Sequence, residues 1–321
     1  MKTSQRRYST RAVECVSAAA FARALDVVRA AVVAPNAGIF GPASMTWRIT
    51  RESAMFLGAG RALLLQLAHP WVAAAIAEHS RAIADPFGRF HRTFDTVFTM
   101  VFGTLDQALF AARRLHCRHA QIGGTLPAAA GRFARGSRYI ANDAAAMRWV
   151  HATLVETALL AHNLVCPPLT TKEREQYWAE SRLFAALFGL DPADLPRDWR
   201  SFRSYTEQMA GSNVLTVSDA AHEIANILFR GTPAWYRALT AEMLPPRLRA
   251  EFGFVHGRRE RESVRRILVW LRRTYPMIPS GVRMVGPYQE AVARLRGRSQ
   301  PGVTTQLLNQ LWIGRARMGA G

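Results

Sequence analysis

Between Arg51 and His119 the chain sets charged and imidazole side chains inside apolar helical sequence. The landmarks are Arg51-Glu52, Arg61, His69-Pro70, Glu78-His79-Ser80, Asp85-Pro86-Phe87-Gly88-Arg89, Arg92-Thr93 and His116-Cys117-Arg118-His119. Each such group is costly to bury alone, so the set must be paired internally or bound to something that accepts it. A buried cofactor is one such acceptor. Arg89 and Thr93 stand four apart and share a face of one predicted helix, with Arg92 at its edge. A guanidinium and a hydroxyl so placed can hold a carboxylate or polarise a bound oxygen species. His116 and His119, three apart, have the spacing of a metal pair. Neither has a Glu three residues before it, which the repeated Glu-x-x-His of a di-iron bundle requires.

Helices must position these residues. From Pro42 onward apolar residues recur at helical spacing and strand-like alternation is scarce, which predicts an all-α fold. Helices are expected over about 50–67, 69–80, 86–101, 105–122, 142–164, 171–188, 197–211, 216–229, 233–243, 245–251, 258–273 and 284–295. Asp85-Pro86 and Thr170-Thr171-Lys172-Glu173 resemble helix starts, and Gly123-Gly124, Gly189 and Gly211 resemble stops. With no internal repeat and no low-complexity linker, the chain reads as one globular domain over 39–295. A basic amphipathic helix within 1–38 precedes it and a flexible basic tail over 296–321 follows.

Lys and Arg number 42 against 23 Asp and Glu, a formal charge of +19 carried mostly by arginine. Such a field favours anionic partners: nucleic acid, acidic lipid headgroups or the propionates of a haem. No nucleic-acid module or zinc-finger spacing accompanies it, so nucleic acid is the least favoured of these. Cys15, Cys117 and Cys166 are too few and scattered for a disulfide framework, which points to a reducing, cytoplasmic compartment. Arg6-Arg7 invites an export reading, but Glu14, Arg23, Asp26 and Arg29 follow where an export signal needs an apolar stretch. No apolar run approaches the roughly 20 residues of a spanning helix, leaving peripheral membrane contact as the form a lipid association would take.

The motif string resembles a known family. Trp47-Arg48-x-x-Arg51-Glu52, Gly60-Arg61-Ala62 through His69-Pro70, His79-Ser80, Asp85-Pro86-x-Gly88-Arg89-x-x-Arg92-Thr93 and Phe102-Gly103-Thr104 are similar in order and spacing to the DUF2236 family, the MpaB and rubber oxygenase catalytic domain. The likeness continues through His119-Ala-x-x-Gly123, Tyr139-x-Ala141-x-Asp143, Trp149 to Leu154 and Leu244-Pro245-x-x-Leu248-Arg249, covering roughly 40–255. It implies an all-helical oxygenase that binds haem b. The relatives include latex clearing proteins, which cleave the carbon-carbon double bonds of polyisoprene with dioxygen.

Carried over residue by residue, His119 matches the proximal iron ligand, Arg89 the distal arginine and Thr93 the distal threonine. Arg92 stands where the rubber-cleaving enzymes have a lysine able to reach the iron, and an arginine stays protonated and cannot coordinate in that way. The expected activity is therefore a haem b-dependent oxygenase acting with dioxygen on a small apolar substrate, an unsaturated lipid or terpenoid rather than rubber. His151, mid-helix among apolar neighbours, competes as an iron ligand, and His79 beside Glu78 is expected in the surroundings of the cofactor. Two alternatives stay open: a non-catalytic haem-binding protein with His119 and His151 both on iron, and a basic helical module for nucleic acid or acidic membrane.

Overall fold

Side-chain caps start many of the helices. Ser17, Ser44, Asp85, Asp143, Asp198 and Ser218 each accept a backbone N–H from the first turn that follows. Thr104 with Gln107 and Thr170 with Glu173 form reciprocal capping boxes. The computed structural model describes residues 14–80 and 84–319. Arg6-Arg7 and the first part of the expected N-terminal helix lie outside the described residues.

In chain order the helices are α1 (Ala18–Ala31), α2 (Met45–Thr50), α3 (Ala59–Leu67), α4 (Pro70–His79), α5 (Pro86–Phe102), α6 (Leu105–Ala120), α7 (Ala144–Val165) and α8 (Thr171–Ala186). They continue with α9 (Trp199–Gly211), α10 (Asp219–Phe229), α11 (Ala234–Met243), α12 (Pro246–Glu251), α13 (Arg258–Thr274), α14 (Ser280–Arg283), α15 (Gly286–Leu295) and α16 (Val303–Ile313). The all-α expectation holds, with one short exception: β1 (Gly123–Thr125) pairs antiparallel with β2 (Arg138–Ile140), Gly124 opposite Tyr139.

The long helix α7 runs through the middle, packing against α3, α8, α13 and the 3-10 turn Ser53–Gly58. Its buried Trp149 donates its indole N–H to the carbonyl of Leu65 on α3 at 2.7 Å. One hydrophobic cluster takes in residues from Val16 to Met318, so α1 and α16 share the core of the central helices.

Two segments differ from the sequence expectation. The helix expected over 50–67 is interrupted, because Glu52 leaves helical geometry to bridge Met284. Its buried carboxylate is met there by Arg283 at 3.1 Å and by the Tyr275 hydroxyl at 3.0 Å. Residues 296–321, expected as a flexible tail, instead contain α16, packed on α5 and α15. The physical reason is buried side chains: Ile313 and Met318 enter the core, Trp312 stacks on Phe56 at 3.9 Å, and Asn309 donates to Glu290 at 2.8 Å.

Most of the internal charge is satisfied by pairing. Arg61, 4% exposed, donates to the Glu156 carboxylate at 2.6 Å, the Thr157 hydroxyl at 2.6 Å and the Met243 carbonyl at 2.9 Å, tying α3 to α7 and α11. Removing one partner of such a pair strands the other charge, so Arg61→Ala is expected to cost about 3–5 kcal/mol in urea unfolding. The paired change Arg61→Met with Glu156→Leu should recover most of that loss.

Candidate active site

α5 and α6 form an antiparallel helical hairpin turned at Gly103 and Thr104. Arg89 stands about 14 residues before the turn and His119 about 15 after it, each roughly 22 Å along its helix. The hairpin therefore brings both to its open end. Asp95 on α5 is close enough to Arg114 on α6 to feel its charge, which fixes the same register midway.

Two further elements join this end. His79, at the last turn of α4, donates from Nε2 to the carbonyl of Gly123, just beyond α6, at 3.2 Å. Its neighbour Glu78 accepts from the Tyr139 hydroxyl at 2.6 Å. Gly124 lies so close beneath them that a Cβ there would meet the Tyr139 oxygen at 2.7 Å and the Glu78 carboxylate at 2.8 Å. Glu78 and Tyr139 thus form a positioning pair that sequence reading did not single out. The adjacency of Glu78 to His79 and the Tyr139-x-Ala141-x-Asp143 motif were its only traces.

The sequence-derived residues fall into different settings. Arg89 is half-buried, and burial followed by the charge of Arg92 pulls its guanidinium below the ordinary value. Thr93 is exposed and donates its hydroxyl to the Arg89 carbonyl at 2.9 Å. Arg92 is exposed and donates to Asp85 at 3.2 Å, the carboxylate that also caps α5. Its guanidinium is thereby held at the start of α5 by Asp85 while its charge still reaches Arg89.

His119 is half-buried, and its Nδ1 is enclosed without a hydrogen-bond partner. Burial, then the nearby His116 and Arg118, brings its pKa down to about 4, so the imidazole is neutral at pH 7. His116 stacks on Phe21 at 4.1 Å and likewise has an enclosed, unpartnered Nδ1. His151 sits elsewhere, buried between α7 and α8 near Trp178, Phe184 and Phe188, with Nε2 donating to the Ser181 carbonyl at 2.8 Å. His69 precedes α4 without capping it through its side chain. Burial and the charge of Arg132 lower its pKa to about 4. Among the described residues no group of three or more His, Cys, Asp or Glu is placed to hold a metal ion.

Residues 47–273 match the family described as ER-bound oxygenase mpaB/B'/rubber oxygenase, catalytic domain. The chain belongs to this family. The match spans α3 to α12 whole and so includes the entire open end of the hairpin, while α1, α15 and α16 lie outside it yet pack on the same core. No curated protein and no solved structure matches the chain. Membership makes this an oxygenase catalytic domain, an enzyme whose partners are a substrate and dioxygen.

The neutral buried histidines carry a pH signature. His69 and His151 are almost fully enclosed, and each has a folded-state pKa near 4 against 6.5 when unfolded. The unfolded chain therefore binds more protons between these values, so stability is full above about pH 6.5 and falls as pH drops toward 4. Melting at pH 7 and pH 5 should show a loss on the order of 2 kcal/mol per buried histidine, and His151→Gln should remove its share of that slope.

Proposed function

We propose that this oxygenase works with haem b held by His119, and that its substrate is a small apolar molecule, an unsaturated lipid or terpenoid. The observation that carries the reading is the His119 ring. It is neutral, as an iron ligand must be, its Nδ1 is enclosed without a partner, and it sits at the hairpin end that also bears Arg89. One imidazole suits an iron whose other ligands come from a macrocycle, which is compatible with the absence of a protein-only metal cage among the described residues.

When bound, the haem would supply the redox chemistry with dioxygen that side chains cannot perform. The chain's own residues bind, orient and exclude. Arg89 offers a half-buried cation to a propionate or to developing negative charge, where partial loss of water strengthens the interaction. Phe90, Phe94 and Phe98 continue along α5 as an aromatic row that meets Phe56, fully buried at Phe98 and only half-buried at Phe94 and Phe90 toward the Arg89 end, where a hydrocarbon can pack. His79, Glu78 and Tyr139 hold the turn after α6 and with it the His119 end of that helix.

Polyisoprene is not the substrate favoured here, because Arg92 replaces the metal-reaching lysine and its charge is engaged by Asp85. A reducing, cytoplasmic setting is supported by three cysteines that remain free. Among the described residues no helix is long and apolar enough to cross a membrane, and an apolar substrate favours peripheral membrane contact. The rival arrangement, with His151 as a second iron ligand, would have to break the hydrogen bond from His151 to Ser181.

Purified protein supplemented with haem should show a Soret band that His119→Ala abolishes or shifts, whereas His151→Gln leaves it in place. A protein that stays colourless overturns the reading. Arg89→Ala is expected to keep the band but lower the dioxygen affinity of the reduced protein about tenfold or more. Loss of haem instead would assign Arg89 to the propionates.

A further inference from the structure

We propose that the outward face of α13, with the turn that follows it, is a docking surface for an anionic lipid bilayer. α13 buries Val264 and turns Leu268 and Leu271 toward α11 and α7. On the opposite side Arg259, Arg266 and Arg273 recur every seven residues, forming one cationic row. A solvated helix face carries such charges routinely and single exposed apolar residues as well, but several large apolar groups exposed together mark an interaction surface. Here Trp270 is 62% exposed within the row, and Met277, just beyond the helix, is 79% exposed beside the exposed Ile278. Apolar groups flanked by arginines are what a helix lying in a membrane interface needs: hydrocarbon below for the former and anionic headgroups beside the latter.

The charges are available. Among the described residues, no hydrogen bond or ion pair engages Arg259, Arg266 or Arg273, and the acidic Glu262 on that face is taken by Arg258 at 2.9 Å. On another flank of α13, roughly 100° round the helix from the row, a cleft of about 210 Å³ against α11 is lined by Arg261, Arg265 and Arg272 over Val264 and Leu268, with Glu242 at its edge accepting from His256 at 2.5 Å. Arg261 donates to the His256 carbonyl and Arg272 to the Leu164 carbonyl, each at 3.0 Å, and with Arg265 their remaining N–H groups over an apolar floor match a lipid phosphate with its acyl chain. Nucleic acid would satisfy the arginines but leave Met277 and Ile278 with no apolar partner, so the bilayer is the occupant the surface favours. The inference extends the apolar-substrate reading by giving such a substrate a source, yet it does not depend on His119 binding iron.

Sedimentation of the full-length protein with vesicles separates these possibilities. It should bind vesicles of phosphatidylcholine mixed with phosphatidylglycerol and ignore phosphatidylcholine alone, with binding that fades as salt rises. Each arginine near such a surface contributes about fivefold, so Arg266→Glu with Arg273→Glu should weaken binding at least about 20-fold. Trp270→Ser should weaken it severalfold, and the exposed control Arg200→Glu should leave it near wild type. Unchanged melting temperatures would show that the variants fold. The proposal is overturned if wild type ignores phosphatidylglycerol, if the double variant binds as well as wild type, or if duplex DNA binds more tightly and loses affinity with the same variants. Vesicle binding and the Soret band are read separately, so either can fail without the other.

Discussion

The antiparallel closure of α5 on α6 is the constraint from which the candidate site follows. A helix pair of this length could place Arg89 and His119 some 40 Å apart if the second helix continued the direction of the first. The turn at Gly103-Thr104 folds that separation away. Gly38 presses against the turn in a left-handed conformation, φ +77°, so close that a Cβ would lie 2.2 Å from the Gly103 carbonyl oxygen. Carbonyls of the last turn of α5 are taken by side chains from distant segments: Trp47 donates to Val101 at 2.9 Å and Arg294 to Phe102 at 2.7 Å. The hairpin is therefore fastened at its buried end, where Phe98 to Phe102 are enclosed, and opens gradually toward the half-buried end bearing Arg89.

This gradient of burial separates structure from chemistry. At the closed end rings interlock, Trp47 packing edge-on against Phe102 at 5.3 Å, and the Trp47 indole N–H is matched by the Val101 carbonyl, although the Thr99 hydroxyl is enclosed without a partner. At the open end Glu78 is matched by Tyr139 and His79 by the Gly123 carbonyl, but His116 and His119 each keep an enclosed nitrogen without a partner. Elsewhere in the interior, Arg61 donating to Glu156 shows charge satisfied where charge is structural. Enclosing a polar atom without a partner is expensive, and two such imidazoles on neighbouring positions of α6 call for an explanation.

The periphery carries a different logic. α13 shares its apolar side with α7 and α11 but turns unpaired arginines and Trp270 outward, while α16 brings Trp312, Ile313 and Met318 onto the core. The two differ in composition: α13 carries seven arginines, whereas α16 carries no charged residue. That difference, with the surfaces already formed for the apolar residues to meet, sends α16 inward and leaves the charged side of α13 facing out.

By itself the sequence determined the helical class, nearly all the helix spans from 69 to 295, and the membership that the ordered motifs of the Arg51–His119 region announce. Those properties are local: apolar periodicity, capping residues and short-range spacing are written in neighbouring positions. Tertiary structure decided the rest. It broke the helix expected over 50–67, because Glu52 is drawn out to Arg283 and Tyr275, partners more than 200 residues away. It ordered 303–313, because Trp312 found Phe56. It set His151 apart from His119 through a carbonyl on α8, drew Arg92 to Asp85, and brought Tyr139 to Glu78. Which polar groups are matched and which are left enclosed without a partner depends on contacts across the whole chain, and spacing along one helix carries no record of them.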